Sequence, residues 1–238
     1  MSDLPVHRNH LGQVIGPPLP HWTSRPWPPR TAMRGRLCRL EPLDAATHAH
    51  ALHEAYGEDE SGRNWTYLPY GPFPSAEAYA EWVRARVGGD DPLFYAILLA
   101  HSGRPVGVAS YLRIDPAMGS IEVGHLCYSP ALQRSAVATE AMYLMMRRAF
   151  DELGYRRYEW KCDSLNAPSR RAAERLGFRY EGTFRQMMVI KQRSRDSAWY
   201  SILDSEWPAL RTAFERWLDP GNFDANGAQR ARLEDLRK

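Results

Sequence analysis

The chain has 238 residues, 44% of them hydrophobic, enough to fill the core of one large domain and only with difficulty two small ones. Its 31 basic and 28 acidic residues leave a net charge of +3, which gives no reason to expect a nucleic-acid or lipid partner. Cys38, Cys127 and Cys162 are scattered and form no CxxC pair, so neither a disulfide framework nor a metal site is expected. The longest apolar run, Leu93–Ala100, is too short for a membrane span, and the first residues lack a signal-peptide core, so a cytoplasmic protein with no membrane partner is expected.

Residues 1–35 read as a proline-rich extended arm, because seven of the 18 prolines fall before residue 35 and proline denies helix and sheet their amide donors. Trp22 and Trp27 are expected to pack on the domain or on a second copy of the chain, which makes a homodimer a candidate assembly. The periodic domain then runs over 36–218. Arg36–Leu40 reads as a strand, and 44–56 as a helix with Asp44 at its N-cap. Gly62–Pro74 is a loop dense in aromatics, and Ser75 caps a second helix that Gly88-Gly89 stops. Leu93–Ala100, Val106–Ile114 and Ser120–Tyr128 are separated by turn-rich segments and predict an antiparallel meander.

Apolar residues at 141, 142, 145, 149 and 153 predict a helix over 137–153, ended by Gly154. Tyr158–Cys162 is a strand with Tyr158, Trp160 and Cys162 on one face, and Pro168 opens a helix that Gly177 closes. Phe184–Ile190 and Trp199–Leu203 read as two last strands, 206–218 as a helix, and 219–238 as a polar tail expected to fray. A helix lies between Ser120–Tyr128 and Tyr158–Cys162, so these two strands can be parallel in a mixed α/β fold, and the loop at their C-terminal end is a natural ligand crevice.

That loop reads Ser129-Pro130-Ala131-Leu132-Gln133-Arg134-Ser135-Ala136-Val137-Ala138-Thr139. Small residues let backbone amides approach a ligand closely, and a helix N-terminus favours an anion such as pyrophosphate. Arg134 adds a charged donor. A plain loop entering a core helix would have the same composition.

Glu122-Val123-Gly124, followed by Gln133-Arg134-Ser135-Ala136-Val137-Ala138-Thr139-Glu140-Ala141, resembles the acetyl-CoA signature of the GNAT acetyltransferases, Q/R-x-x-G-x-G/A. Asn166-Ala167-Pro168-Ser169 and Arg175-Leu176-Gly177-Phe178 are similar to the family's downstream block in its RimJ/RimL type. The likeness runs from about Arg36 to Leu218, with one departure: Ala136 stands where the signature has its first glycine.

The resemblance implies a mostly antiparallel sheet with one parallel pair splayed at the cofactor site and helices on both faces. It implies direct transfer of acetyl from acetyl-CoA to an amine: a protein N-terminus, an amino acid or peptide-like compound, or a small metabolite amine. The backbone of Leu126, Cys127 and Tyr128 would hold the pantetheine arm. Gln133, Arg134, Ser135, Ala136, Val137, Ala138 and Thr139 would cradle the pyrophosphate, and Asn166 would touch the arm. Glu122, in an apolar strand that raises its proton affinity, is the candidate base, although a salt-bridged strand residue would look the same. Ser169 is the candidate donor to the departing thiolate, although Ser169 and Asn166 are also natural helix caps. Tyr200 is a second possible donor or a core aromatic, and His125 a second base or a structural residue. Cys127 lacks a base partner and is expected to be inert. Asn64, Trp65 and Tyr67, with Tyr70 nearby, lie in the loop that flanks the acceptor in this family; the aromatics either stack on the acceptor or seal the core edge. An acetyl-CoA-binding module with little activity is the alternative function.

Overall fold

The computed structural model describes residues 6–237. A short hairpin, β1 (His7–Arg8) and β2 (Val14–Ile15), stands apart from an eight-stranded sheet. The sheet comprises β3 (Met33–Arg34), β4 (Cys38–Pro42), β5 (Leu93–Leu99), β6 (Pro105–Asp115), β7 (Ser120–Tyr128), β8 (Arg157–Asp163), β9 (Arg179–Ile190) and β10 (Arg193–Leu203). Its order is β3-β4-β5-β6-β7-β8-β10-β9, and every pairing is antiparallel except β7 with β8. The mixed sheet with one parallel pair is the architecture that the strand and crossover pattern predicts.

Helices cover both faces. On one lie α1 (Ala45–Gly57) and α2 (Ala76–Arg86), whose Leu52, Tyr56, Tyr79 and Val83 bury against Phe94, Val108 and Cys127. Their starts are capped as expected: Asp44 accepts from Thr47 N at 2.8 Å and Ser75 from Ala78 N at 3.2 Å. On the other face lie α3 (Ala136–Arg147), α4 (Ala167–Leu176) and α5 (Trp207–Leu218), packed around Met142, Met145, Tyr158, Trp160 and Phe214.

Several boundaries differ from the sequence reading. The helix expected over 137–153 is α3 followed by a wider π turn over Arg148–Glu152. The final strands are longer than expected because Lys191 and Gln192 make a two-residue hairpin turn with φ of 48° and 61°. Such turns favour Asn and Gly, and neither residue announces one. The tail expected to fray folds back on α5: Leu233 is fully buried, Asn222 donates to the carbonyls of Trp217 and Ala231, and Phe223 sits edge-on to Trp217. The short strand Met33–Arg34, inside the arm read as purely extended, pairs with β4.

Candidate active site

The site begins where β7 and β8 part. Their ladder runs from Ser120↔Arg157 to Val123↔Trp160 and goes no further. Beyond it β7 stays with β6 while β8 follows β10. The cause lies in β7: the step from Gly124 to Cys127 faces only the step from Ser110 to Val108, so one extra residue is accommodated as a β-bulge. His125 takes the strain there, at φ 51°. A bulge removes a residue from the ladder and increases local twist, which turns the end of β7 away from β8 and leaves Leu126–Tyr128 beside the gap.

From that end the chain turns directly into α3. Leu132 and Gln133 donate their amides back to Ser129 O, and Arg134 adopts φ 56° to redirect the chain. Ser135 is the N-cap: its Oγ accepts from Ala138 N at 3.1 Å and donates to Leu132 O at 2.6 Å. Ala136 and Val137 therefore carry the first-turn amides that lack an intrahelical partner. Ala136 lies in the helix with negative φ, so the positive-φ position in this segment is Arg134 and the alanine is conformationally at ease. The expected cradle residues divide: Ser135 uses its side chain as a cap, and Thr139 is buried, its Oγ1 accepting from Arg175 at 3.1 Å. Gln133 donates to Tyr128 O and to Asn64 Oδ1, both at 2.9 Å, and Asn64 also donates to Tyr128 O at 2.8 Å. Asn64 thus ties the end of β7 to the loop before α3.

Glu122 is 2% exposed on the α1/α2 face of the sheet. Arg113 Nη1 donates to both its oxygens, at 2.8 and 2.9 Å, and Lys161 Nζ lies 2.9 Å away. Lys161 also meets Glu159 at 2.8 Å, and Arg157 links Glu159 to Glu181, so charges alternate across four strands. Burial pushes the Glu122 pKa above the usual carboxylate value, and the two cations pull the other way. Lys161 is largely covered and held by two carboxylates, whereas Arg113 is half exposed on the solvent side.

Ser169 lies in the first turn of α4. Its Oγ accepts from Trp160 Nε1 at 3.0 Å, so its own proton can be donated, and the Cys162 thiol is an acceptor beside it. Asn166 is the N-cap of α4 and accepts from Ser169 N at 3.2 Å. Tyr200 is fully buried between Arg170 and Glu174. The Cys127 thiol is buried and its pKa pushed up to about 12, which suppresses thiolate. His125 stacks on Tyr70, whose hydroxyl lies 3.2 Å from its Nδ1, and burial lowers its pKa to about 4.

The aromatic loop behaves differently from residue to residue. Trp65, expected beside the acceptor, is 7% exposed inside a cluster with Tyr56, Tyr70 and Phe73, and a Cβ at Gly71 would run into its ring. Trp65 therefore seals the core. Tyr67 reaches across the crevice, its hydroxyl donating to Leu165 O at 3.2 Å. A contact that sequence reasoning missed ties the β9–β10 turn to this loop: Lys191 donates to Trp65 O and Gly71 O, both at 2.8 Å. No sequence signal marks it, because the two segments are distant in the chain.

Among the described residues no group of three or more His, Cys, Asp or Glu is placed to hold a metal ion, and no helix is long and apolar enough to cross a membrane. Residues 37–179 match the family described as "Acetyltransferase (GNAT) domain". A GCN5-related N-acetyltransferase from Brucella melitensis has a similar structure, with 47% identity and a TM-score of 0.90, covering 92% of this chain and 99% of that one. A probable GNAT-family acetyltransferase from Chromobacterium violaceum is 44% identical with a TM-score of 0.76, covering 82% of this chain and 96% of that one. The uncharacterized N-acetyltransferase YnaD of Bacillus subtilis is 26% identical over 141 residues, 59% of this chain and 81% of its own length.

Proposed function

The chain belongs to the GNAT acetyltransferases, and on that premise we propose that it is an acetyl-CoA-dependent N-acetyltransferase of RimJ/RimL type acting on a primary amine: a protein N-terminus, an amino acid or peptide-like compound, or a small metabolite amine. The observation that carries this reading is the parted β7–β8 pair leading straight into the amide-bearing start of α3. A crevice edged by backbone donors fits a long thioester arm ending in a pyrophosphate. Bound acetyl-CoA supplies an activated acyl group.

The protein's own residues do the rest. The amides of Ala136 and Val137, with Arg134, hold the pyrophosphate at the positive end of α3, and Gln133, Ser135, Ala138 and Thr139 shape and brace that turn. The backbone of Leu126, Cys127 and Tyr128 orients the arm and donates to the thioester carbonyl. Glu122 takes a proton from the acceptor ammonium, which has no lone pair until it loses one. Ser169 Oγ, already accepting from Trp160, gives its proton toward the departing sulfur, and Asn166 positions it. Asn64 and Tyr67 border the acceptor.

Calorimetry with acetyl-CoA, followed by thiol release with a panel of amines, tests the proposal. Saturable binding with release for one amine class is expected, and Ser169→Ala should lower kcat about tenfold or more with acetyl-CoA affinity unchanged. Binding without release on any amine would leave an acetyl-CoA-binding module in its place. No binding would overturn both.

A further inference from the structure

On the α1/α2 face the bulge turns His125 into an aromatic chamber. A partly open cavity of about 80 Å³ is lined by Tyr70, Trp82, Phe94 and His125, together with Pro69, Arg86 and Pro92. The rings pack closely around it: Tyr70 and Trp82 have centroids 4.3 Å apart, Phe94 and His125 5.0 Å, and Tyr70 stacks on His125 at 21°. The chamber is built on the very residue whose bulge parts β7 from β8, on the sheet face opposite α3. The lining adjoins the parted end of β7 through His125, which directly precedes Leu126–Tyr128.

The lining also carries a charge preference. No carboxylate is among the residues that line the cavity, and its charged member is Arg86, whose guanidinium lies 5.9 Å over the Trp82 ring. Burial, Arg113 and Arg86 lower the His125 pKa to about 4 against the opposing pull of Asp91, so the ring is neutral at pH 7. A second ammonium placed there would lose its water and face the Arg86 guanidinium, with Asp91 the nearby carboxylate but outside the lining, which is costly. An apolar group would exchange water for aromatic surface.

We propose that this cavity receives a short, uncharged apolar substituent of the acceptor and thereby selects apolar monoamines over diamines and lysine-like chains. The small volume limits that substituent to a short aliphatic segment. The selection of acceptors rests on the acetyl-transfer reading; occupation of the cavity does not.

Two measurements on the full chain test it, using pentylamine and 1,4-diaminobutane, which match in length and differ in one terminal charge. Trp82 Nε1–H is buried without a hydrogen-bond partner among the described residues, so its indole NMR signal, identified by its loss in Trp82→Phe, reports on the cavity. Pentylamine should shift that signal saturably and 1,4-diaminobutane should not. In turnover, kcat/KM should rise about fourfold per methylene from ethylamine to pentylamine and then level off, with 1,4-diaminobutane at least tenfold below pentylamine. An unmoved indole signal overturns the proposal whatever the enzyme turns over, as does a diamine used as well as pentylamine. A shifted signal with no thiol release from any amine would uphold the cavity as an apolar site and count against the acetyl-transfer reading alone.

Discussion

Glu122 shows how two opposed effects settle on one side chain. Burial favours the protonated acid, while Lys161 and Arg113 favour the carboxylate, and burial prevails. A raised pKa puts the rise of the deprotonated fraction at higher pH than for an ordinary carboxylate. The acid limb of kcat/KM should therefore lie above the usual carboxylate range. Arg113→Met removes a cation that favours ionisation, so it should move that limb to still higher pH. Glu122→Gln should erase the limb and lower kcat by about 10²- to 10⁴-fold. A limb surviving unchanged in Glu122→Gln would assign the proton to another group, and His125, with a pKa near 4, is poorly placed to take it at neutral pH. The carboxylate in an apolar strand is legible in the sequence; its partners are not, because Arg113 and Lys161 reach it only through pairing of β6 and β8 with β7.

At the scale of elements, α3 connects the cradle to the sheet. Its apolar stripe is written locally and appears as the sequence implies, whereas Ser135, expected in the cradle, is found as its cap. Its most consequential polar residue is Glu140, buried at 4% exposure, whose carboxylate accepts the amides of Arg36, Leu37 and Cys38 at 2.9, 2.6 and 2.7 Å. A Cβ at Gly35 would collide with that carboxylate, so the turn between β3 and β4 is shaped around it. Glu140→Gln replaces one acceptor oxygen by a donor facing N–H groups. It should cost about 2–3 kcal/mol, seen as a lower urea midpoint with an unchanged slope. A stability equal to wild type would show that the turn holds without the charge.

For the whole molecule, the segment before β3 acts as a strap. Trp22 Nε1 donates to Ala117 O, Arg25 N to Pro116 O, Tyr155 to Pro26 O and Tyr95 to Pro29 O. Buried Arg148, in the π turn after α3, donates to Thr31 O and Ala32 O at 2.7 and 3.1 Å. The strap is thus fastened at both the β6–β7 turn and the back of α3. Arg148→Met leaves those two carbonyls without their donor. Limited proteolysis between residues 20 and 34 should then speed up about tenfold for each 1.4 kcal/mol of local stability lost, while cleavage within α3 stays slow. Equal cleavage rates would mean that the remaining contacts suffice to hold the strap.

Local physics determined which segments became helices and strands. Hydrophobic period, cap residues and turn residues act within a few positions, so Ser120–Tyr128, the helix caps at Asp44 and Ser75, the Gly177 stop and the crossover that makes β7 and β8 parallel are all readable from the chain. The signature loop is legible for the same reason: its small residues and the helix start are contiguous. Tertiary structure alone decided the rest. The bulge at His125 depends on a count of residues along two paired strands, and the Lys191 turn is held by carbonyls of a loop remote in sequence. The ion pairs on Glu122, the burial of Trp65 and the chamber around His125 likewise come from packing of distant elements, which one-dimensional periodicity does not encode.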